Sequence, residues 1–298
     1  MKYDIVWDDS FNTGVEIIDT AHQGLMNCIR RMVNITNDKD ADEEKKRWVC
    51  EEGIKYFKNY AIKHFAEEEA YMRSIDYADY ARHKFLHTEM REITIPELER
   101  QLNSANYSEQ TVENFLGACM GWLTGHIMIE DRKITHGDLE AIEPQQDREE
   151  LQQLIHAISQ TIQDIFALEV QVDDENYEGE NFGKALYYKL TYKNDQGEML
   201  HAIFAVEKPL VSNTVGKMLF ITFPIINKTV ISAMQQISQQ IMRSLRTYFA
   251  QADSSFSLCE DEMLSAKEFR REFETGTSQY SLLFQTDLGY FAFCIRRP

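Results

Sequence analysis

The chain has 298 residues, 43% of them hydrophobic and 11% aromatic, which is enough for packed cores and excludes a disordered chain; length alone suggests two domains. A formal net charge of −18 argues against nucleic acid and anionic lipid, whose recognition needs clustered Lys and Arg. No apolar run approaches the roughly 20 residues of a membrane span, and the opening MKYDIVWDDSF carries acids where a secretory signal would be apolar, so a cytoplasmic protein with no membrane partner is expected.

Residues 1–15, with Trp7, Phe11 and Gly14, read as an N-terminal arm. Helical patterns follow at 17–36, 42–74, 77–102 and 108–132, joined by short breaks, which is the pattern of antiparallel neighbours in an up-down-up-down bundle. Pro96 predicts a kink or break late in the third helix. The polar stretch 136–150 contains Pro144 and reads as a boundary. Beyond it a helix at 147–168 leads into β-rich segments at 184–192 and 198–206, a short helix near 211–220 and a long amphipathic helix at 227–251. The segment 281–297 carries an Asp287-Leu288-Gly289 turn, a hairpin signal. Helices followed by a mixed region predict a multidomain chain: an all-α four-helix bundle over 1–138, a linker at 139–146 and an α+β domain over 147–298.

Cys28, Cys50, Cys119, Cys259 and Cys294 are widely spaced, with no pair at metal-ligand spacing, and are expected to be reduced and mostly buried. The histidines are more telling. His64 and Glu68 are four apart and share a helix face, and His83 and His87 repeat that spacing. His126 and Asp131 are five apart, about 140° round an ideal helix, so the helix end must relax or the Asp swing back. With His22 near the start of the first helix, an up-down-up-down arrangement brings all seven side chains to one end of the bundle. A single histidine on an apolar helix face is more often a hydrogen-bonded core residue than a ligand; seven level-matched donors on four helices are not explained that way. His136, His156 and His201 lie outside the pattern. Five imidazoles and two carboxylates exceed the four ligands of a tetrahedral zinc and suit two carboxylate-bridged ions.

These segments resemble the bacterial hemerythrins. Trp7, Gly14 and Ile18-Asp19-Thr20-Ala21-His22 match the family's opening, and HFAEEE, HKFLH and WLTGHIMIED match its later ligand segments. The resemblance implies two iron ions with an oxo or hydroxo bridge, and dioxygen as the ligand. One iron takes His83, His87 and His126; the other takes His22 and His64 and keeps an open position; Glu68 and Asp131 bridge both. Trp7, Leu25, Phe65 and Trp122 are candidates for an apolar dioxygen pocket, although core packing explains each by itself.

The element order of residues 147–298 resembles the CheX/CheC-type chemotaxis phosphatases. Residues 232–249, SAMQQISQQIMRSLRTYF, are similar to that family's long helix, whose Glu-x-x-Asn pair acts on a phosphorylated response regulator, and the closing LLFQTDLGYFAFCIRR is similar to its last hairpin. Here Gln236 and Gln239 stand at the two positions, so they are catalytic candidates only in a departure from the pattern. Gln239 retains the donor and acceptor groups that orient water, whereas neutral Gln236 cannot make a charge-assisted contact. The combined expectation is an oxygen or redox sensor whose output passes through the CheX-like domain to a response regulator or other signalling protein, with that domain also forming a homodimer. Oxygen storage or carriage, and an oxygen-gated response-regulator phosphatase, are the alternatives.

Overall fold

The computed structural model describes residues 7, 9–36, 38, 40, 42–136, 147–218, 226–249 and 256–298; the expected linker 139–146 lies outside them. The chain splits into two compact units. One comprises Met1–Leu139 with short later pieces that include Ile225–Gln236, and the other is built from Glu140–Lys217 and Ile237–Pro298, with Thr222–Pro224.

The first unit is helical. Helix α1 spans Glu16–Thr36 and α2 spans Glu43–Ser74, the latter capped by the Asp42 side chain, which accepts from the Lys45 backbone N–H. Helix α3 covers Tyr80–Glu89, α4 Ile95–Ser104, α5 Glu109–His126 and α6 Arg132–His136. Pairs α1–α2, α2–α3, α4–α5 and α5–α1 pack together, closing a four-cornered bundle with α3 and α4 sharing one corner. At Gly53 on α2 an added Cβ would stand 2.5 Å from the Met32 sulfur, so the missing side chain sets how closely α1 and α2 approach.

Two helix junctions are wider than α. Between α3 and α4, residues Met90–Thr94 form a π-helical turn, closed by the Ile95 N–H donating to the Met90 carbonyl five residues back. Pro96 follows immediately; it has no N–H to give and its ring crowds the preceding turn, so the expected break takes this form. The second π-helical turn, Ile127–Asp131, joins α5 to α6 and is closed by Arg132 N–H donating to the Ile127 carbonyl.

The second unit carries α7 (Asp147–Phe166), α8 (Lys208–Met218), α9 (Lys228–Phe249, its first turns counted with the bundle), α10 (Ala266–Glu272) and six strands. These are β1 (Gln171–Asp174), β2 (Ala185–Lys193), β3 (Met199–Glu207), β4 (Ser257–Leu264), β5 (Thr277–Thr286) and β6 (Gly289–Arg297). They form one sheet in the order β1-β5-β6-β3-β2-β4, with every neighbour antiparallel. The β5–β6 hairpin turns at Asp287-Leu288, and Gly289 begins β6 at φ 134°, a conformation open to glycine. Strands β1 and β4 and helix α10 were not foreseen from the sequence: β1 has four residues and β4 is mostly exposed, so neither shows strong apolar alternation. On one sheet face Ile203, Ala205, Leu283, Ala292 and Cys294 join Tyr177, Leu264 and Phe269 in a core. On the other face Tyr188, Leu190, Phe204, Phe284 and Phe293 are buried.

All five cysteines are free; four are buried and Cys259 is exposed. Burial pushes the thiols of Cys28, Cys50 and Cys294 up to about 11, which keeps them protonated and unreactive. Among the described residues no helix is long and apolar enough to cross a membrane.

Candidate metal centre

Helix α1 contributes His22, α2 His64 and Glu68, α3 His83 and His87, and α5 with its π-helical extension His126 and Asp131. All seven are at most 1% exposed. The i, i+4 pairs on α2 and α3 need no special backbone. The five-residue interval does: the extra residue in the Ile127–Asp131 turn brings the Asp131 carboxylate back over His126, 3.0 Å from its Nε2.

The imidazole Nε2 atoms gather in two groups. His126 Nε2 is 3.0 Å from that of His87 and 3.1 Å from that of His83, while His22 and His64 stand 3.0 Å apart. The carboxylates lie between the groups. Asp131 Oδ1 is 3.2 Å from His83 and Oδ2 is 3.2 Å from His22; Glu68 Oε2 is 3.2 Å from His87 and 3.5 Å from His64. Two donors bonded to one ion at about 2.1 Å and at right angles stand about 3 Å apart, whereas tetrahedral donors would stand about 3.4 Å apart. The spacing therefore fits six-coordinate ions. All four oxygens of Glu68 and Asp131, and the Nδ1 atoms of His22, His64 and His83, are buried without a hydrogen-bond partner. Leaving four buried carboxylate oxygens unsatisfied is costly unless cations hold them. Two clusters have donor atoms close enough together that each could hold a metal ion: Glu68, His83, His87 and His126; and His22, His64 and Glu68.

The electrostatics agree with ligation. Burial pushes His126 down to about 3, and burial, with His22 adding to it, holds His64 well below the ordinary imidazole range, so both present neutral nitrogens. Burial and the neighbouring Asp131 raise Glu68. Burial would raise Asp131 as well, but His126, His22 and His83 outweigh it and hold that carboxyl well below its usual range.

Further partners were not apparent from the motifs. Glu69 Oε1 sits 3.4 Å from His87 Nδ1 and orients that ring. Arg82, beside His83, makes a two-pronged ion pair with the buried Glu130, beside Asp131. Asp19 accepts from the Thr13 N–H at 2.7 Å, its hydroxyl at 2.8 Å and the Gly14 N–H at 3.1 Å, tying the N-terminal arm to α1 one turn before His22. The signal for each was adjacency to a ligand segment.

Phe65 stacks on His87 with centroids 4.2 Å apart and lies 5.7 Å from His64, while Trp122 stacks on His126 at 4.3 Å. Phe65 and Trp122 meet edge to face, and Leu25 is buried in α1. Trp7 stands in the N-terminal arm, donating to Asn12 Oδ1 and packed against Phe11. In the second unit the Gln239 amide donates to the Tyr188 hydroxyl at 2.9 Å, and that hydroxyl donates to Asp261 at 2.7 Å. Gln236, three residues earlier on α9, is half-buried.

Residues 13–135 match the family model for the hemerythrin HHE cation-binding domain. The chain is 28% identical over 127 residues to a bacteriohemerythrin of Pseudomonas paraeruginosa, covering 43% of this chain and 76% of that one. It is also 28% identical over 131 residues to a bacteriohemerythrin of Clostridium acetobutylicum, covering 96% of the latter. The fold of the C-terminal half is similar to that of the chemotaxis protein CheX from Vibrio vulnificus, at 12% identity and a TM-score of 0.39, over 50% of this chain and 98% of that one. Residues 13–135 are thus a hemerythrin HHE cation-binding domain, carried in one chain with an α+β unit.

Proposed function

We propose that this protein binds dioxygen at a di-iron centre in its helical unit and serves as an oxygen or redox sensor through its α+β unit. The observation that carries the reading is the division of seven buried donors into groups of three and two imidazoles that share two otherwise unpartnered carboxylates. His83, His87 and His126 would hold one iron and His22 and His64 the other, with Glu68 and Asp131 bridging. The group with fewer imidazoles is the one with room for an exogenous ligand. Iron in the reduced state supplies the electrons that reversible dioxygen binding requires.

The chain's own part is to fix the donors and keep the site dry. The π-helical turn aims Asp131, Glu69 orients His87, and the Arg82–Glu130 pair joins the turns that carry His83 and Asp131. Phe65 and Trp122 cover the imidazole faces and exclude water, which would otherwise carry protons to the site. The deciding experiment reduces iron-loaded protein anaerobically, admits air and follows the visible spectrum and iron content. Two irons per chain and a charge-transfer band reversed under vacuum are expected. Iron content near zero, or no visible band, overturns the di-iron reading. A stable spectrum that vacuum does not reverse overturns dioxygen binding and makes redox state the signal. For the sensing half, amide exchange in residues 147–298 should differ between deoxy and oxy forms; identical exchange would leave a storage or carrier role.

A further inference from the structure

The second unit contains a cavity of about 330 Å³, lined among others by Gly183, Lys184, Tyr187, Lys208, Phe269 and Arg270. A volume of that order is typical of a small-molecule site. Its charge runs against the rest of the molecule. In a chain of net charge −18, Lys184, Lys208 and Arg270 are exposed at its wall, and among the described residues no ion pair is made by any of them.

The Lys208 N–H donates to the Lys184 carbonyl at 2.8 Å, so the two residues are backbone neighbours where β2 begins and α8 starts. The carboxylate nearest in sequence, Glu207, is engaged by the backbone: its Oε2 accepts from the Tyr290 N–H at 2.8 Å. Its Oε1 packs against Gly183, at φ 138°, where an added Cβ would stand 2.0 Å from it. Glu180 at the rim is also engaged locally, accepting from the Glu178 N–H at 3.0 Å. Arg270, also in the lining, donates through Nε to the Ala266 carbonyl at 3.2 Å, a bond that does not use its two terminal nitrogens. The wall beside the cations is aromatic: Tyr187, half-buried, stacks on Phe269 with centroids 4.4 Å apart. Three cationic side chains on one cavity wall, with Glu180 and Glu207 each engaged by a backbone N–H, suit an anion, and an aromatic face beside them suits a flat ring.

We propose that this cavity binds a small phosphorylated molecule carrying a planar ring, with Lys184, Lys208 and Arg270 on the phosphate and Tyr187 against the ring. The assignment is independent of the metal centre and fails or stands separately from dioxygen binding. The test is calorimetric titration of the full, iron-loaded chain with 5′-AMP, adenosine and inorganic phosphate, to about 5 mM. AMP should bind at least about tenfold more tightly than adenosine or phosphate, and more weakly as salt rises from about 50 to about 300 mM. The K184Q/K208Q double variant and R270Q should each weaken AMP by about tenfold or more. These positions are exposed, so a thermal melt matching the parent shows that the variants fold; if the double variant does not fold, R270Q alone carries the test. No heat with AMP, or unchanged affinity in the variants, overturns the proposal. Phosphate binding as tightly as AMP overturns the planar-ring assignment.

Discussion

Truncating Arg82 to alanine should destabilise the helical unit by about 2–3 kcal/mol. Glu130 is 3% exposed and takes two hydrogen bonds from the Arg82 guanidinium, whose side chain is 39% exposed. Breaking a fully buried ion pair on one side costs about 3–5 kcal/mol, because the remaining charge stays desolvated; the half-open arginine end lets water reach Glu130 and places the cost at the low end. Glu130→Gln keeps the shape and one acceptor but gives up the charge, a loss of about 1–2 kcal/mol. The double variant should cost about 2–3 kcal/mol, less than the sum, giving a coupling of about 1–2 kcal/mol. Urea unfolding followed by tryptophan fluorescence reads this unit selectively, because Trp7, Trp48 and Trp122 all lie within it. The variants should also release metal to a chelator faster, since the pair joins the turns that carry His83 and Asp131. Additive single effects, within about 0.5 kcal/mol, would refute the claim that these side chains act as a pair.

Phe65→Ala should cost about 3–5 kcal/mol, as for a buried aromatic emptied to a cavity, and should shorten the lifetime of the oxygenated spectrum by admitting water beside His87; an unchanged lifetime would remove Phe65 from the water-excluding wall. Asp19→Ala loses three hydrogen bonds to Thr13 and Gly14 and should lower stability by about 2 kcal/mol, with increased proteolysis of the N-terminal arm as the second readout. In the α+β unit, His201 and Lys189 hold Glu272 down at about 2. A depressed carboxyl contributes stability above its unfolded pKa, near 4.3, and loses it as pH falls toward the folded value. The melting-temperature gap between parent and Glu272→Gln should therefore be full at pH 6 and close between about pH 4 and pH 2; a gap independent of pH would contradict the ion-pair origin. Replacing His126 by alanine removes one of three imidazoles from a group and should reduce bound iron below two per chain, measured by metal analysis of the folded variant.

Much of the histidine and carboxylate cluster was legible in the sequence because helix geometry is local. His64 with Glu68, and His83 with His87, fall on one face by spacing alone, and short connections between four long helices require antiparallel neighbours that bring His22 and His126 to the same end. The α+β class was legible from the change of period after residue 150, and the last hairpin from Asp287-Leu288-Gly289. The short β1 and the exposed β4 were not, since their pairing partners are distant in sequence and their own apolar alternation is weak.

What only the tertiary structure decided is how the ill-matched pieces meet. The sequence places Asp131 five residues from His126, and an ideal helix would turn it aside; the π-helical turn at Ile127–Asp131 recovers the alignment because the surrounding bundle holds one residue more in that turn than local preference would choose. Arg82 and Glu130 are 48 residues apart, and nothing local links them; packing of α3 against the segment after α5 does. The same holds for Lys184, Lys208 and Arg270, unremarkable in sequence, which the sheet register gathers around one cavity while the Tyr290 backbone engages Glu207. Spacing along a helix is fixed by covalent geometry and short-range hydrogen bonds, whereas these juxtapositions exist only once long-range pairing has been made.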